Sequence, residues 1–427
     1  MFNSASPTTP YHRSLGNGLT LKSISTEDEI ERVAAFNDHI HGEDLDAMTR
    51  GLVLHHPHTR PEHWLFVEDD ASRDVVSALC LIPWTWRCDG VELKAGEMGI
   101  VGTREDFRHR GLIRALDARF KELLNEGEYD LSQIQGIPYY YRLFGYEYAL
   151  PLEGGWHLAP HQVPEGVSDV PRYSFRQATI DDLPTLQAFY ADMTGEIPIH
   201  AVRSPEVWRY LLEHPLLTAN KVEFWLVTNA TGKVEGYTRV DQQGFGTGLI
   251  VAEGYCPTHA AAVAMLQHLK ALALERDKPY IRLMDHDQNV LVQAARYYGA
   301  RDDGRYAWQI MLPAPERLLH KLQPAFERRL AASPFQGLTR TVRLNLYRTA
   351  YDLRFEGGCL QTVDAVGFQE QDAAISLPPT QLVPLALGYR THAELREAYP
   401  DVRCYGQDAY LVDVLFPKLD AHIHLMY

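Results

Sequence analysis

Apolar and polar positions along the chain alternate between two periods. Leu19–Ile24 (LTLKSI), HWLFVE from His63 and VVSALCLIPWTW from Val75 carry the two-residue period or β-branched and aromatic runs of strands. A glycine-rich run, ELKAGEMGIVG, predicts a further strand, and YDLSQIQG a short one. Two segments carry the helical period. STEDEIERVAAFNDHI opens on a cap-like Ser25 or Thr26 with acidic residues in its first turn. FRHRGLIRALDARFKELLNEG places Leu112, Leu116, Phe120, Leu123 and Leu124 on one face. The polar leader ending at Gly16–Gly18 and the Pro/Gly-rich LAPHQVPEGVSDVPR read as unstructured, the latter as a domain boundary.

Beyond that boundary the pattern restarts. YSFRQA, VEFWLVT, GKVEGYTRV, GLIVAEGYC and PYIRLMDH read as strands; TIDDLPTLQAFYADMT and THAAAVAMLQHLKALALERD read as helices. NVLVQAARYYGARDDG ends in a Tyr-Gly-Ala turn that matches YRLFGY of the first half, so a duplicated α/β domain is expected. After WQIMLP a third style begins. PERLLHKLQPAFERRLA reads as a helix, TRTVRLNLYRTAYDLRFEGGCLQTVDAVG as two or three strands around a Gly-Gly turn, and DAAISLPPTQLVPLALG and HAELREAYP as more helix. The apolar ending LFPKLDAHIHLMY has reason to dock.

Composition narrows the function. The chain has 427 residues, enough for several domains, and a formal net charge of −15. That charge argues against a general binder of nucleic acid or of anionic membrane and suits a cationic partner such as an amine. Five cysteines without C-x-x-C spacing make a disulfide framework or a cysteine-based zinc site unexpected. No apolar run approaches the roughly 20 residues of a membrane span and no signal core opens the chain, so a cytoplasmic address is expected. His55, His56, His58 and His63 do not have a zinc spacing, and Pro57 interrupts them; they read as a surface loop near the substrate entrance. MDHDQN has no calcium-loop glycine, and His422 and His424 read as structural. No metal is expected.

The segment richest in chemistry is GEMGIVGTREDFRHRGLIRAL. A strand passes through an arginine-rich turn into a helix near Gly111, whose first N–H groups and dipole form an anion site. Arg108, Arg110 and Arg114 add charge, so a pyrophosphate cradle is expected; neither a Walker loop nor a dinucleotide fingerprint is present. One helix and one strand later come Tyr141-Arg142-Leu143-Phe144-Gly145-Tyr146. These two motifs, in this order, resemble those of the GNAT acetyltransferases, with Ile113 where a small residue is usual. The layout over nearly the whole chain resembles the Eis family.

That resemblance implies tandem GNAT-like α/β (α+β) domains with mixed central sheets, a catalytic one at 1–158 and a degenerate one at 172–313. A sterol-carrier-like α+β domain would follow at 314–427. It implies acetyl-CoA as co-substrate, a small-molecule or peptide amine as acceptor (aminoglycoside, polyamine or lysine-like), and a homo-oligomer, with a hexamer as family precedent. Val101, Gly102 and Thr103 would bond pantetheine and the thioester carbonyl. Arg108, His109, Arg110, Gly111, Leu112, Ile113 and Arg114 would surround the pyrophosphate, and Gly136 and Ile137 would line the acetyl slot. Tyr141 would be the general acid, the terminal carboxylate of Tyr427 the general base, and Asp38 would stand near the amine. Thr103, Glu105 and His109 depart from the family's usual residues. The degraded turn Glu253-Gly254-Tyr255-Cys256-Pro257-Thr258-His259 implies no cofactor in the middle domain, since Pro257 lacks an N–H donor. A different class remains open: a binding protein with an inactive GNAT core, holding an apolar ligand or a protein partner.

Overall fold

The computed structural model describes residues 10–42, 44–152, 154–165, 173–244, 246–369 and 371–427; the start of the polar leader and most of the connector lie outside them. The first portion forms β1 (His12–Gly16), β2 (Leu19–Ser23), β3 (Trp64–Asp69), β4 (Val75–Cys88), β5 (Val91–Thr103), β6 (Leu131–Ile134), β7 (Glu147–Leu152) and β8 (Trp156–Leu158). Its helices are α1 (Glu27–His41), α2 (Leu45–Leu54) and α3 (Leu112–Glu126). The second forms β9 (Ser174–Gln177), β10 (Ile199–Val202), β11 (Val222–Thr228), β12 (Val234–Asp241), β13 (Leu249–Tyr255), β14 (Ile281–Leu283), β15 (Arg301–Asp302) and β16 (Tyr306–Met311). Helices α4 (Leu183–Thr194), α5 (Pro205–Glu213), α6 (His259–Glu275) and α7 (Val290–Tyr297) accompany it. The third has β17 (Arg340–Asn345), β18 (Ala350–Glu356), β19 (Cys359–Ala365), β20 (Ala373–Ser376) and β21 (Ala421–His422). Its helices are α8 (Pro315–Lys321), α9 (Gln323–Ala331), α10 (Leu382–Ala386), α11 (His392–Ala398) and α12 (Gly406–Leu415).

Local chemistry sets these elements. Thr26 Oγ1 accepts from the Glu29 N–H and Glu29 Oε2 accepts from the Thr26 N–H, a reciprocal cap that starts α1. On α3, Leu112, Leu116, Phe120, Leu123 and Leu124 are all buried, the face expected from the spacing. The single helix expected after residue 313 is two, because Pro324 falls in the first turn of α9 and cannot donate to a preceding turn. Ala373–Ser376, expected as helix, is a strand paired with β17.

The duplication is visible in strand order. The first sheet runs β1-β2-β3-β4-β5-β6-β16-β7, and the second runs β15-β8-β14-β13-β12-β11-β9. Along each of these orders, antiparallel strands give way to one parallel pair, β5 with β6 and β13 with β14, bridged by α3 or α6. The two units also exchange strands. β16 inserts between β6 and β7, whereas β8 pairs with β14 and β15. Boundaries drawn along the chain at 158 and 172 therefore cut across both sheets. The third sheet is β19-β18-β17-β20. The far end of β4 pairs with β10, and β10 pairs in parallel with β21, so the end of the chain joins the first sheet.

Candidate active site

β5 and β6 share register at only three positions, Ala95↔Leu131, Gly96↔Ser132 and Glu97↔Gln133. Beyond Glu97 no shared register continues, and a slot opens between them. The opposite edge of β5 is irregular as well. Ala78 pairs with Gly102 and Cys80 with Gly99, so Ile100 and Val101 together face Leu79, a bulge in which Ile100 takes φ 48°. A β-branched residue in the left-handed region is unfavourable and persists only where its surroundings enforce it. Such bulges re-aim strands next to functional sites.

Of the residues expected to bind the thioester arm, Val101 lines the cavity at this opening. Gly102 O accepts from Ser77 Oγ at 2.9 Å, and Ser77 Oγ is 2.8 Å from Thr103 Oγ1. A Cβ on Gly102 would sit 3.0 Å from Ile40 Cγ2, so the missing side chain lets α1 press on the strand. Arg108, His109, Arg110, Gly111 and Arg114 are exposed at the start of α3, with Leu112 buried and Ile113 half-buried. Gly111 holds φ 76° as the cap of α3, and His109 holds φ 64°. Nothing lies within 4 Å of a Cβ built at Gly111, so its open face is turned away from the protein. Arg110 packs on Phe107 and donates to Asp106 O at 3.1 Å. The arrangement is an exposed, cationic helix start, as the spacing led us to expect.

Gly136 follows β6. A Cβ there would lie 2.2 Å from Tyr141 Cδ2, so only glycine leaves room for that ring. Its carbonyl accepts from Gln309 Nε2 at 3.0 Å and from Tyr306 Oη at 3.1 Å, both on the exchanged strand β16. Ile137 is exposed and lines the cavity. Tyr141 is buried among Tyr140, Phe144 and Tyr146, and burial pushes its phenol well above the usual range. The phenol therefore carries its proton at neutral pH, as a donor must, while the raised pKa makes it a weaker acid.

A cavity of about 450 Å³ brings Tyr141, Val101 and Ile137 together with Tyr427 from the opposite end of the chain. Tyr427 is buried, its ring edge-on to Trp84, and its phenol donates to Glu97 Oε2 at 2.9 Å. Leu425 O, two residues earlier, accepts from Arg203 Nη2 at 2.6 Å and Arg239 Nη1 at 2.9 Å. Arg203 also pairs with Glu253, completely buried, in the strand that corresponds to β5 in the second unit. The tail thus packs where the second unit would open its own slot. At its helix start, Thr258 caps α6 through the Ala261 N–H, with neither an arginine nor a glycine. Asp38 sits half-buried on α1, one turn before His41; His41 lines the cavity and Asp38 does not.

Glu97 is the residue the sequence reading missed. It is buried at the point where β5 and β6 part, and it lines the same cavity. Burial raises its carboxyl to about 8, with the Tyr427 hydrogen bond pulling the other way. A carboxyl held near neutrality by burial is a marker of proton-transfer sites. The available signal was a lone acid in the otherwise uncharged run AGEMGIVG. The histidine loop, expected on the surface, is partly interior. His56 is buried against Tyr210 and pushed down to about 3 by that burial, and His58 and His63 line a separate cavity of about 940 Å³. All five cysteines are free. Among the described residues no helix is long and apolar enough to cross a membrane.

The parted parallel strands, the bulge and the cationic helix start belong to a GNAT-like fold. Residues 25–149 match the family model described as "Acetyltransferase (GNAT) domain". The chain therefore carries an N-acetyltransferase domain of an enzyme that transfers acyl groups. Solved structures extend the likeness over the full length. A probable N-acyltransferase from Enterococcus faecalis is 15% identical, with a TM-score of 0.69 over 96% of this chain and 99% of that one. A GCN5-related N-acetyltransferase from Anabaena variabilis is 14% identical, with a TM-score of 0.67 over 95% and 99%. Eis1 from Mycobacterium abscessus is 16% identical, with a TM-score of 0.60 over 95% and 100%. No curated protein sequence matches the chain.

Proposed function

We propose that the protein transfers acetyl from acetyl-CoA to a primary amine by direct attack within the first unit. The observation that carries this reading is one cavity shared by Tyr141, the parted strand at Val101 and the chain-terminal Tyr427. The pyrophosphate lies against Arg108, His109, Arg110, Gly111, Leu112, Ile113 and Arg114, where N–H groups and arginines offset its charge. Pantetheine follows Val101, Gly102 and Thr103, and the acetyl group reaches Gly136 and Ile137.

A protonated amine, with a pKa of about 10, cannot attack. The Tyr427 carboxylate takes its proton, assisted by Glu97, whose hydrogen bond fixes the Tyr427 ring. The amine nitrogen then bonds to the acetyl carbon, and the carbonyl oxygen gains charge beside the β5 backbone. The C–S bond breaks, Tyr141 gives its proton to the departing sulfur, and the remaining proton that the new amide nitrogen sheds returns through water to the Tyr141 phenolate. Asp38 draws the cationic acceptor toward the entrance. Acceptors are polyamines, aminoglycosides or lysine side chains, in keeping with the net charge of −15. The C-terminal unit is sterol-carrier-like, with the task of delivering the tail; the active form is a cytoplasmic homo-oligomer, and neither nucleic acid nor a metal takes part in the transfer. Free-thiol release measured across a panel of these amines tests the reading. Acetyl-CoA binding without transfer to any of them would instead support a binding protein.

A further inference from the structure

The docked tail also assembles a cluster that acyl transfer does not use. Asp285 follows β14, and His422 and His424 lie two residues apart on the extended tail, a spacing that puts both imidazoles on one face. One donor atom from each of the three lies within 4.8 Å of the others. The two imidazole rings are 4.4 Å apart, centre to centre. Asp285 and His424 are buried, and His422 is largely so.

The contacts between the histidines and the carboxylate are long, one at the limit of a hydrogen bond and one beyond it. His424 Nε2 is 3.4 Å from Asp285 Oδ1, and His422 Nε2 is 4.0 Å from the same oxygen. Two His–Asp pairs elsewhere close to 2.8 Å (His286–Asp420) and 2.6 Å (His392–Asp413), whereas His157–Asp303 stands at 3.3 Å. Two ligands sharing a tetrahedral zinc-sized ion, with bonds of about 2.0–2.1 Å, are about 3.4 Å apart. The carboxylate is also held as a metal ligand's would be. Its Oδ2 accepts from the Gly254 N–H at 2.8 Å and from Asn289 Nδ2 at 2.9 Å, and its Oδ1, which faces the histidines, also accepts from the His286 N–H at 2.7 Å. A cavity of about 40 Å³ has all three residues on its wall, enough for an ion and one water. Arg305 borders the same cavity, but its charge is paired with Asp287 at 2.5 Å.

We propose that Asp285, His422 and His424 bind one divalent transition-metal ion of the zinc class, clamping the tail to the middle unit. Two imidazoles and one carboxylate suit zinc, cobalt or nickel, whereas magnesium and calcium prefer all-oxygen sites. The ligands escaped the sequence reading because one of them lies far from the other two along the chain. The clamp sits three residues before Tyr427, so it would fix the segment that ends in the acyl-transfer cavity.

The full chain, stripped with a chelator and dialysed, is titrated with ZnCl₂ against a chromogenic zinc indicator, and separately with CoCl₂. One zinc per chain, a rise in Tm with zinc and the intense visible absorption of tetrahedral cobalt are expected. His422→Gln and His424→Gln should each weaken zinc by at least the ten- to hundredfold that even an outer partner costs. Replacing His55 and His58 by Gln should leave affinity unchanged. Asp285→Asn serves only if it folds, since Asp285 also supports Gly254 and Asn289; His422, at the tail's partly open edge, is the safer test. Wild-type protein that takes up no stoichiometric zinc, cobalt lacking the tetrahedral spectrum, or zinc binding unchanged in the His422→Gln/His424→Gln double variant would each overturn the proposal.

Discussion

Replacing Glu97 by Gln should reverse an ordinary rule of protein stability. In the unfolded chain this carboxyl ionises near 4.5, whereas burial keeps it protonated in the folded protein to about pH 8. Between those values the folded state binds a proton that the unfolded state has released, so this group's contribution to stability falls as pH rises. The gap between 4.5 and about 8 corresponds to about 5 kcal/mol in all, at about 1.4 kcal/mol for each tenfold change in proton affinity. Contributions of this kind are fully present below about pH 4.5 and gone above about pH 8. In Glu97→Gln the new side chain cannot ionise and keeps an amide where Tyr427 donates its hydrogen bond, so most of the packing survives. Urea unfolding followed by tryptophan fluorescence, at about pH 5 and about pH 8.5, should show the difference between wild type and Glu97→Gln moving by about 4 kcal/mol in the variant's favour. If the two proteins show the same change with pH, the carboxyl is already ionised in the folded state and the burial argument fails. The same variant reports on transfer: a rise of kcat/KM through about pH 8 in the wild type should disappear from the Glu97→Gln protein.

Tyr141→Phe should lower turnover by about 10² to 10⁴ with acetyl-CoA affinity nearly intact, since only the proton donor is lost; steady-state kinetics and calorimetry together check this. Gly111→Val should fold, with about 1–2 kcal/mol of strain from its left-handed backbone, but lose acetyl-CoA affinity by calorimetry, because its open face is where the pyrophosphate approaches. Acetyl-CoA should bind once per chain, the second unit's slot being closed by the tail; a calorimetric stoichiometry of two would contradict that. Deleting Tyr427 or adding a short C-terminal tag should abolish most transfer while acetyl-CoA binding persists, and an N-terminal tag should be harmless in the same assay.

The sequence disclosed what local chemistry controls. The strands with clean alternation, the cap of α1 and the apolar face of α3 all stand where spacing put them. So does the helix start at Gly111. Long-range pairing was hidden. The exposed edge strand β1 (HRSLG) has a polar pattern that resembles a leader, and only its partner β2 makes it a strand. β8 and β16 carry no mark that says which sheet they will join, because strand exchange depends on contacts between distant segments. Ala373–Ser376 is too short for any period to distinguish a strand from a helical turn. Glu97 was overlooked because charge in a strand usually points to solvent; here its hydrogen-bond partner is the last residue of the chain.

The route of the tail explains why one cavity needs the whole chain. β4 is long enough to pair with β3 near its start and with β10 near its end. β10, from the second unit, then offers its other edge to β21, which the third unit delivers. From there the chain passes Asp285, meets Arg203 and Arg239 at Leu425, and ends on Glu97. Each contact belongs to a different part of the sequence, and the second unit spends its own buried ion pair, Arg203 with Glu253, on holding the tail. A charged pair buried so completely is strongly destabilising to break from one side, by about 3–5 kcal/mol. Loss of the second unit would therefore remove a support that the first unit cannot supply for itself. That is a physical reason for the second unit to accompany the first.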